Sequence, residues 1–427
     1  MLGLEPDARI RVTNVGRNPL RCGDFFLVPE MPLDVPFSFL AEYGGNPNIV
    51  ADFSAFADHL RSHTDDSRPY FDLYAPLSAV DGYGRHAIDL WRGLSSVGAS
   101  VPFRSVSPRA EDHSYMDMSF IRSVHDNRTL PPAKVALSFS MPYDAHHHST
   151  GSVTNVALTQ FETDHIPFRH IENVGKANHL IVTSKFQVAV WKRSGMKLPI
   201  SVMTPGIDTD LFSRVDRPRG QKFRVLILGA LSGRKNTAGA VRIFQRASNG
   251  DPGWQLTIKH RGPITLDAET LKQIRHDGRI KLLTGDMPPA QIVGLYHNHD
   301  CLIWPSKGEG VGLPPLEAMS TGMDVVLSDS SGMSDYMDRK HCWPIRIDRM
   351  EPAHLDGTFS KEYIEDFGGV GNWWLPDETH GVQQLQKAMT AWYEGKGKGR
   401  AAADYVRSHH TLQHQAESVL RVVQEYL

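Results

Sequence analysis

Apolar residues in this chain gather in short, nearly continuous runs, separated by stretches in which they recur at helical spacing. Runs at 70–75, 135–140, 157–161 and 179–183 fill one half. Runs at 224–228, 254–259, 280–283, 301–304 and 324–327 fill the other. Such runs read as strands buried on both faces, as in parallel sheets under helices. Residues 87–97 and 411–427 read as amphipathic helices, the second with Leu412, Ala416, Val419, Leu420 and Val423 on one side. Ser184 is a natural N-cap for a helix running to Arg193. The strand at 70–75, the loop Asp81-Gly82-Tyr83-Gly84-Arg85, the helix at 87–97 and a strand at 100–103 form a βαβ unit. The alternation predicts an α/β protein with parallel sheets, whose ligands sit beyond the carboxyl ends of the strands.

The beginning of the chain follows another pattern. Residues 10–15 and 25–28 read as short strands between the turn signals Gly16-Arg17-Asn18-Pro19 and Cys22-Gly23-Asp24. Ile49, Phe53, Phe56, Ala57 and Leu60 are spaced as in a helix over 49–60, and 63–68 is a polar linker. We expect a β-rich appendage over 1–66, an N-terminal Rossmann-like domain over 67–212, a C-terminal one over 213–405, and a closing helix over 406–427.

Composition narrows the class. The 427 residues can bury more than one core. Hydrophobic content of 40% and charged content of 22% are ordinary for a globular protein. A net charge of −2 provides no general attraction to nucleic acid or anionic lipid. No apolar run approaches the ~18–20 residues that span a bilayer. The first residues lack the basic region and long apolar stretch of a secretory signal. The cysteines, Cys22, Cys301 and Cys342, are few, far apart and odd in number, so a cytoplasmic setting without a disulfide framework is expected.

Candidate chemistry concentrates at 304–319. Glu309 and Glu317 stand eight positions apart across a glycine-rich turn, between a strand and a helix. Backbone N–H groups at such a turn suit an anion, whereas the carboxylates suit sugar or ribose hydroxyls. This segment resembles the E-x7-E signature of retaining nucleotide-sugar glycosyltransferases of the GT-B fold, family four. Four further stretches are similar to landmarks of the same family. They are the strand from Phe223 with Arg234-Lys235-Asn236, the hinge Pro205-Gly206-Ile207-Asp208 with Phe212, and the pair Asp329-Ser330-Ser331-Gly332 and Trp374-Leu375-Pro376-Asp377. The likeness covers roughly 70–427 and is stronger in the C-terminal half.

The resemblance implies two facing Rossmann-like domains, a last helix that returns to the first of them, a nucleoside-diphosphate sugar as donor (UDP or GDP) and no cofactor or catalytic metal. It implies catalytic roles for Glu309, Arg234 and Lys235, the cations on the diphosphate and Glu309 on the donor sugar. Glu317 is expected on the ribose, Gly310, Val311, Gly312 and Leu313 on sugar or phosphate, and Thr284 and Gly285 at the base. Family members often carry an arginine directly after the glycine that here is Gly229. This chain has Ala230 there.

Acceptor-side candidates are Gly82, Gly84, Glu162, Asp164 and His146. The last lies in Asp144-Ala145-His146-His147-His148, a run without a zinc-ligand pattern. Lys259 reads as a surface lysine. The acceptor is a hydroxyl compound of unknown identity, and the appendage could hold a macromolecular one. The alternatives are a scaffold protein on a transferase fold, a sugar-nucleotide epimerase or a phosphorylase.

Overall fold

Strands apolar on both faces need helices over each face. The computed structural model describes residues 68–427, except 79–81, 107–115, 117, 128–131, 149–151, 218–219, 230, 263–265 and 356–358. Before residue 68 it describes only the backbone of β1 (Arg9–Asn14), β2 (Leu20–Cys22), β3 (Phe25–Leu27), β4 (Pro32–Pro36) and β5 (Ile49–Asp52). β4 and β5 flank β1 antiparallel, and β2 pairs with β3, so the N-terminal region is β-rich. Ile49–Asp52 is thus a strand and not the start of the expected helix. Pairing with Arg11–Asn14 overrides the local spacing, and 53–60 lie outside the described residues.

The first parallel sheet comprises β6 (Asp72–Ala75), β7 (Phe103–Ser105), β8 (Val135–Phe139), β9 (Thr154–Thr159), β10 (His179–Val182) and β11 (Ile200–Val202). Its order is β11-β10-β9-β8-β6-β7, so the winding reverses between β6 and β8. Helices α1 (Gly82–Ser96), α2 (Met118–Asn127), α3 (Phe168–Val174) and α4 (Lys185–Arg193) connect it. Two strands are displaced from the expected spans. β7 begins at Phe103, with Ser100 joined to Tyr70 by an isolated bridge, and β9 ends at Thr159, so 160–161 belong to the loop beyond its carboxyl end.

The second sheet comprises β12 (Phe223–Leu228), β13 (Trp254–Lys259), β14 (Ile280–Leu283), β15 (Cys301–Trp304), β16 (Asp324–Ser328) and β17 (Trp343–Ile345). Its order is β14-β13-β12-β15-β16-β17, and the winding reverses between β12 and β15. Helices α5 (Thr237–Ser248), α6 (Ala268–His276), α7 (Pro289–His297) and α8 (Leu313–Ser320) lie between its strands. A hairpin follows, β18 (Ile347–Pro352) with β19 (Asn372–Pro376), carrying α9 (Lys361–Phe367) between its strands. The chain closes with α10 (Glu378–Glu394), α11 (Gly399–His409) and α12 (Leu412–Val423). Among the described residues no helix is long and apolar enough to cross a membrane.

The last helix belongs to the first core. Ala416, Val419, Leu420, Val422 and Val423 are buried with Phe71, Leu90 and Phe103. Thr411 starts it with a capping box closed by His414. Contact with α1 is so close that a Cβ at Gly93 would lie 2.6 Å from the carbonyl oxygen of Leu412.

The two sheets meet across a line of specific polar contacts. Asp164 accepts from the backbone N–H of Asn372 at 2.6 Å and from its side-chain amide at 3.2 Å. His170 Nε2 meets the Tyr363 hydroxyl at 2.6 Å, which ties α9 to α3. Arg92 on α1 donates to Asp208 at 2.8 Å, beside Asp89 at 3.5 Å. Burial pushes the Asp89 carboxyl up to about 6; Arg85 and Arg92 oppose the rise, and Asp208 and Glu317 add to it.

Two outcomes follow from this packing. Gly93→Ala forces α12 off α1 and is expected to cost about 1–3 kcal/mol, read as a lower melting temperature, whereas Gly278→Ala, with open space around it, leaves melting near that of the parent. Asp89 binds its proton more tightly folded than unfolded, where its value is the ordinary 3.8. Its stabilising contribution is therefore complete below about pH 4 and is lost as pH rises through about 6. Melting of Asp89→Asn across pH 4–7 should gain on the parent as pH rises; a constant difference contradicts this.

Candidate active site

Ligands of doubly wound sheets bind where the winding reverses, beyond the carboxyl ends of the strands. In the second sheet those ends are Leu228 on β12 and Trp304 on β15, adjacent in the sheet. The loop after β12 carries Arg234 and Lys235. Asn236 follows in the left-handed region (φ 52°), which asparagine tolerates better than most residues, and α5 begins after it. The loop after β15 carries Glu309, which is 4% exposed.

These loops converge on one carboxylate. Lys235 Nζ lies 2.7 and 2.8 Å from the two oxygens of Glu309. The Trp304 indole N–H donates to Oε1 at 3.1 Å, and Lys235 stands over the same indole ring, 4.9 Å from its centre. Arg234 reaches Oε2 at 3.5 Å and donates to the Gly308 carbonyl at 2.6 Å. The Glu309 backbone N–H donates to Ser331 Oγ at 3.0 Å, which holds the loop against the segment after β16. Burial opposes the negative charge, but Lys235 and Arg234 outweigh it and hold Glu309 below the ordinary glutamate value.

Glu317 lies inside α8 and is almost fully buried. The Tyr296 hydroxyl donates to its Oε2 at 2.6 Å, and its Oε1 receives the guanidinium of Arg85 from α1 of the other sheet. Between the two glutamates, Val311 is buried in the apolar core and Gly312 leads into α8, whose first residue is Leu313. Gly310 is pressed against the first domain. Its carbonyl accepts from Thr183 Oγ1 at 3.2 Å and Gln187 Nε2 at 3.1 Å, and a Cβ there would lie 2.3 Å from Gln160 Oε1.

The first domain faces this turn with the loops beyond β8, β9 and β10. Glu162, beyond β9, stands 3.8 Å from Arg234 across the cleft. Asp164 is engaged by Asn372, as described above. His146, beyond β8, stacks on Tyr74 with ring centres 4.3 Å apart. Burial and the adjacent His148 and His147 lower its pKa, so the ring is neutral near pH 7. Among the described residues no group of three or more His, Cys, Asp or Glu is placed to hold a metal ion.

Some expected positions differ. Gly82 and Gly84 are not in a loop but in the first turn of α1. Gly84 allows α1 to touch Ser78, whose carbonyl oxygen would be 2.3 Å from a Cβ, whereas Gly82 has open space. Lys259 is buried, not at the surface, and donates to the carbonyls of His260 and Gly285 at 3.1 and 2.5 Å. Thr284 and Gly285 are exposed beyond β14, at the sheet edge and two strands from the crevice. Arg85, Tyr296 and Ser331 were given no role from the sequence, although Ser331 stood in the quoted stretch Asp329-Ser330-Ser331-Gly332. Arg85 stood inside the quoted glycine loop, but the partners of all three are distant in the chain.

Comparison with known proteins adds family to geometry. Residues 208–342 match the sequence model described as Glycosyl transferases group 1. A D-inositol 3-phosphate glycosyltransferase of Acidothermus cellulolyticus is 23% identical over 239 residues, 50% of this chain and 52% of that protein. The chain thus spans about half the length of this curated relative. Among solved structures, sucrose-phosphate synthase from Thermosynechococcus elongatus superposes with a TM-score of 0.59 at 13% identity, over 84% of this chain and 99% of that one. Anabaena HepE, solved in complex with UDP and glucose, superposes with a TM-score of 0.55 at 12% identity, over 83% and 99%. The reversal-point crevice therefore lies in a GT-B fold, and the segment that builds it, residues 208–342, matches the glycosyl transferases group 1 model.

Proposed function

We propose that this chain is a retaining glycosyltransferase that moves a sugar from a nucleoside-diphosphate sugar to a hydroxyl acceptor. The observation that carries the reading is the buried Glu309, gripped by Lys235 and Arg234 at the mouth of β12 and β15. A lone buried carboxylate costs several kcal/mol, and losing one partner of a buried pair costs about 3–5 kcal/mol. Two cations held at this depth suit a ligand that brings more negative charge, as a diphosphate does.

On this reading Lys235 and Arg234 meet the β-phosphate, whose charge grows as the sugar leaves, and so stabilise the transition state more than the ground state. Glu309 orients the sugar near its reacting carbon, and Glu317 accepts from the ribose hydroxyls. The bond from the anomeric carbon to the phosphate oxygen breaks while the acceptor oxygen bonds to that carbon on the same face. The acceptor proton passes to the departing phosphate oxygen, so the step uses no carboxylate nucleophile and no metal. Uridine or guanosine is the expected base, and the UDP bound to HepE, a protein of the same fold, favours uridine. Glu162 and His146, across the cleft, are acceptor-side candidates. The appendage over 1–66 is proposed to hold a macromolecular acceptor, and the cytoplasm is proposed as the setting.

Glu309→Gln is expected to cut turnover at least about a hundredfold while changing nucleotide affinity little; near-normal turnover overturns its role. Melting curves against UDP-, GDP-, ADP- and CMP-sugars test the donor site. The preferred donor at about a hundred times its dissociation constant stabilises by about 2.7 kcal/mol, and Glu317→Ala abolishes the shift. No shift with any of the four contradicts a nucleotide-sugar site.

A further inference from the structure

Arg85 stands out because it comes from the wrong side of the cleft. It sits in the first turn of α1, on the first domain, yet its guanidinium is bonded to Oε1 of Glu317 on α8 of the second. Glu317 Oε2 is already bonded to the Tyr296 hydroxyl. Both oxygens of this carboxylate are thus engaged by protein donors. The Arg85 side chain is 29% exposed and that of Glu317 2%, so the arginine is the partner that can swing away.

This inference rests on the proposed function, in which Glu317 accepts from the ribose. Ribose hydroxyls then compete with Arg85 for Oε1. A displaced guanidinium next to buried groups needs a new anion, and Asp89, one turn further along α1, already stands 3.5 Å from Arg92. A nucleoside brings none, whereas a nucleoside diphosphate brings a strongly charged one. From Leu313, where the glycine turn enters α8, to Glu317 is four residues, or about 6 Å along the helix axis at the usual rise. That distance is within the sweep of an arginine side chain, whose planar fork suits phosphate oxygens as well as carboxylate.

We propose that Arg85 is a specificity-determining residue. It holds the ribose carboxylate before a donor arrives and exchanges Glu317 for the diphosphate of the incoming donor. A nucleoside must break the Arg85–Glu317 pair without replacing it; a nucleoside diphosphate breaks it and re-forms an ion pair. The residue therefore penalises nucleosides, favours diphosphates, and links donor entry to the contact between the two domains.

The test is calorimetric titration of the full chain with UDP and uridine, and with GDP and guanosine in parallel. The ratio of nucleoside to nucleoside-diphosphate dissociation constants is the readout. In Arg85→Ala the nucleoside is expected to bind more tightly and the diphosphate more weakly, so the ratio falls by about tenfold or more. Arg85→Lys, which keeps the cation, retains part of the ratio. Arg85→Met, which keeps the apolar stem without the charge, repeats the test if the alanine variant folds poorly. If Arg85→Ala and Arg85→Met leave the ratio unchanged while Glu317→Ala weakens UDP and uridine (or GDP and guanosine) together, the exchange is overturned and the ribose site stands. If Glu317→Ala changes neither affinity, the ribose site is wrong and the exchange falls with it.

Discussion

The structure turns on a buried carboxylate that cannot be left unpaired. Glu309 sits in the loop after β15, where burial alone drives a carboxyl toward its neutral form. Lys235, Arg234 and the Trp304 indole keep it charged. That requirement fixes the loops after β12 and β15 relative to each other, and these are the loops that flank the winding reversal of the second sheet. A constraint on folding and a candidate for chemistry therefore coincide in one cluster.

The same logic extends across the domain boundary. The glycine turn after Glu309 is held from the first domain by Thr183 and Gln187, and Glu317 by Arg85. Asp164 with Asn372 and His170 with Tyr363 add ties through the β18–β19 hairpin and α9. These contacts lie beyond the carboxyl ends of both sheets. A ligand entering there meets groups already committed to one another, and its charge decides which of those pairs it can replace. The N-terminal helix α1 thereby links the first core, through Gly93 and α12, to the buried glutamate of the second.

Much of this was legible in the sequence because it is local. β13, β14 and β15 fall where continuous apolar runs were read, and β12 and β16 differ by one residue at an end. Glu309, Lys235 and Arg234 were singled out from two short motifs, and the structure brings them together. What escaped was non-local. Residues 49–52 carry a helical spacing but pair as a strand with β1. Gly82 and Gly84 read as a loop because glycine usually ends helices, yet Gly84 is in α1 to let it approach Ser78. Lys259 read as a surface residue because lysine seldom buries; the backbone carbonyls of the adjacent His260 and of Gly285 beyond β14 make burial tolerable. The Arg85–Glu317 contact joins residues 232 positions apart, and no local pattern announces it.

The crevice between β12 and β15 is proposed to bind a nucleoside diphosphate through Lys235, Arg234 and Glu317. A crystal structure of the full chain soaked with UDP, and of a parallel crystal soaked with GDP, tests it most directly. A diphosphate is expected within hydrogen-bond distance of Lys235 and Arg234, with ribose hydroxyls on Glu317. Nucleotide bound elsewhere, with the Glu309 and Glu317 pairs undisturbed, would contradict it.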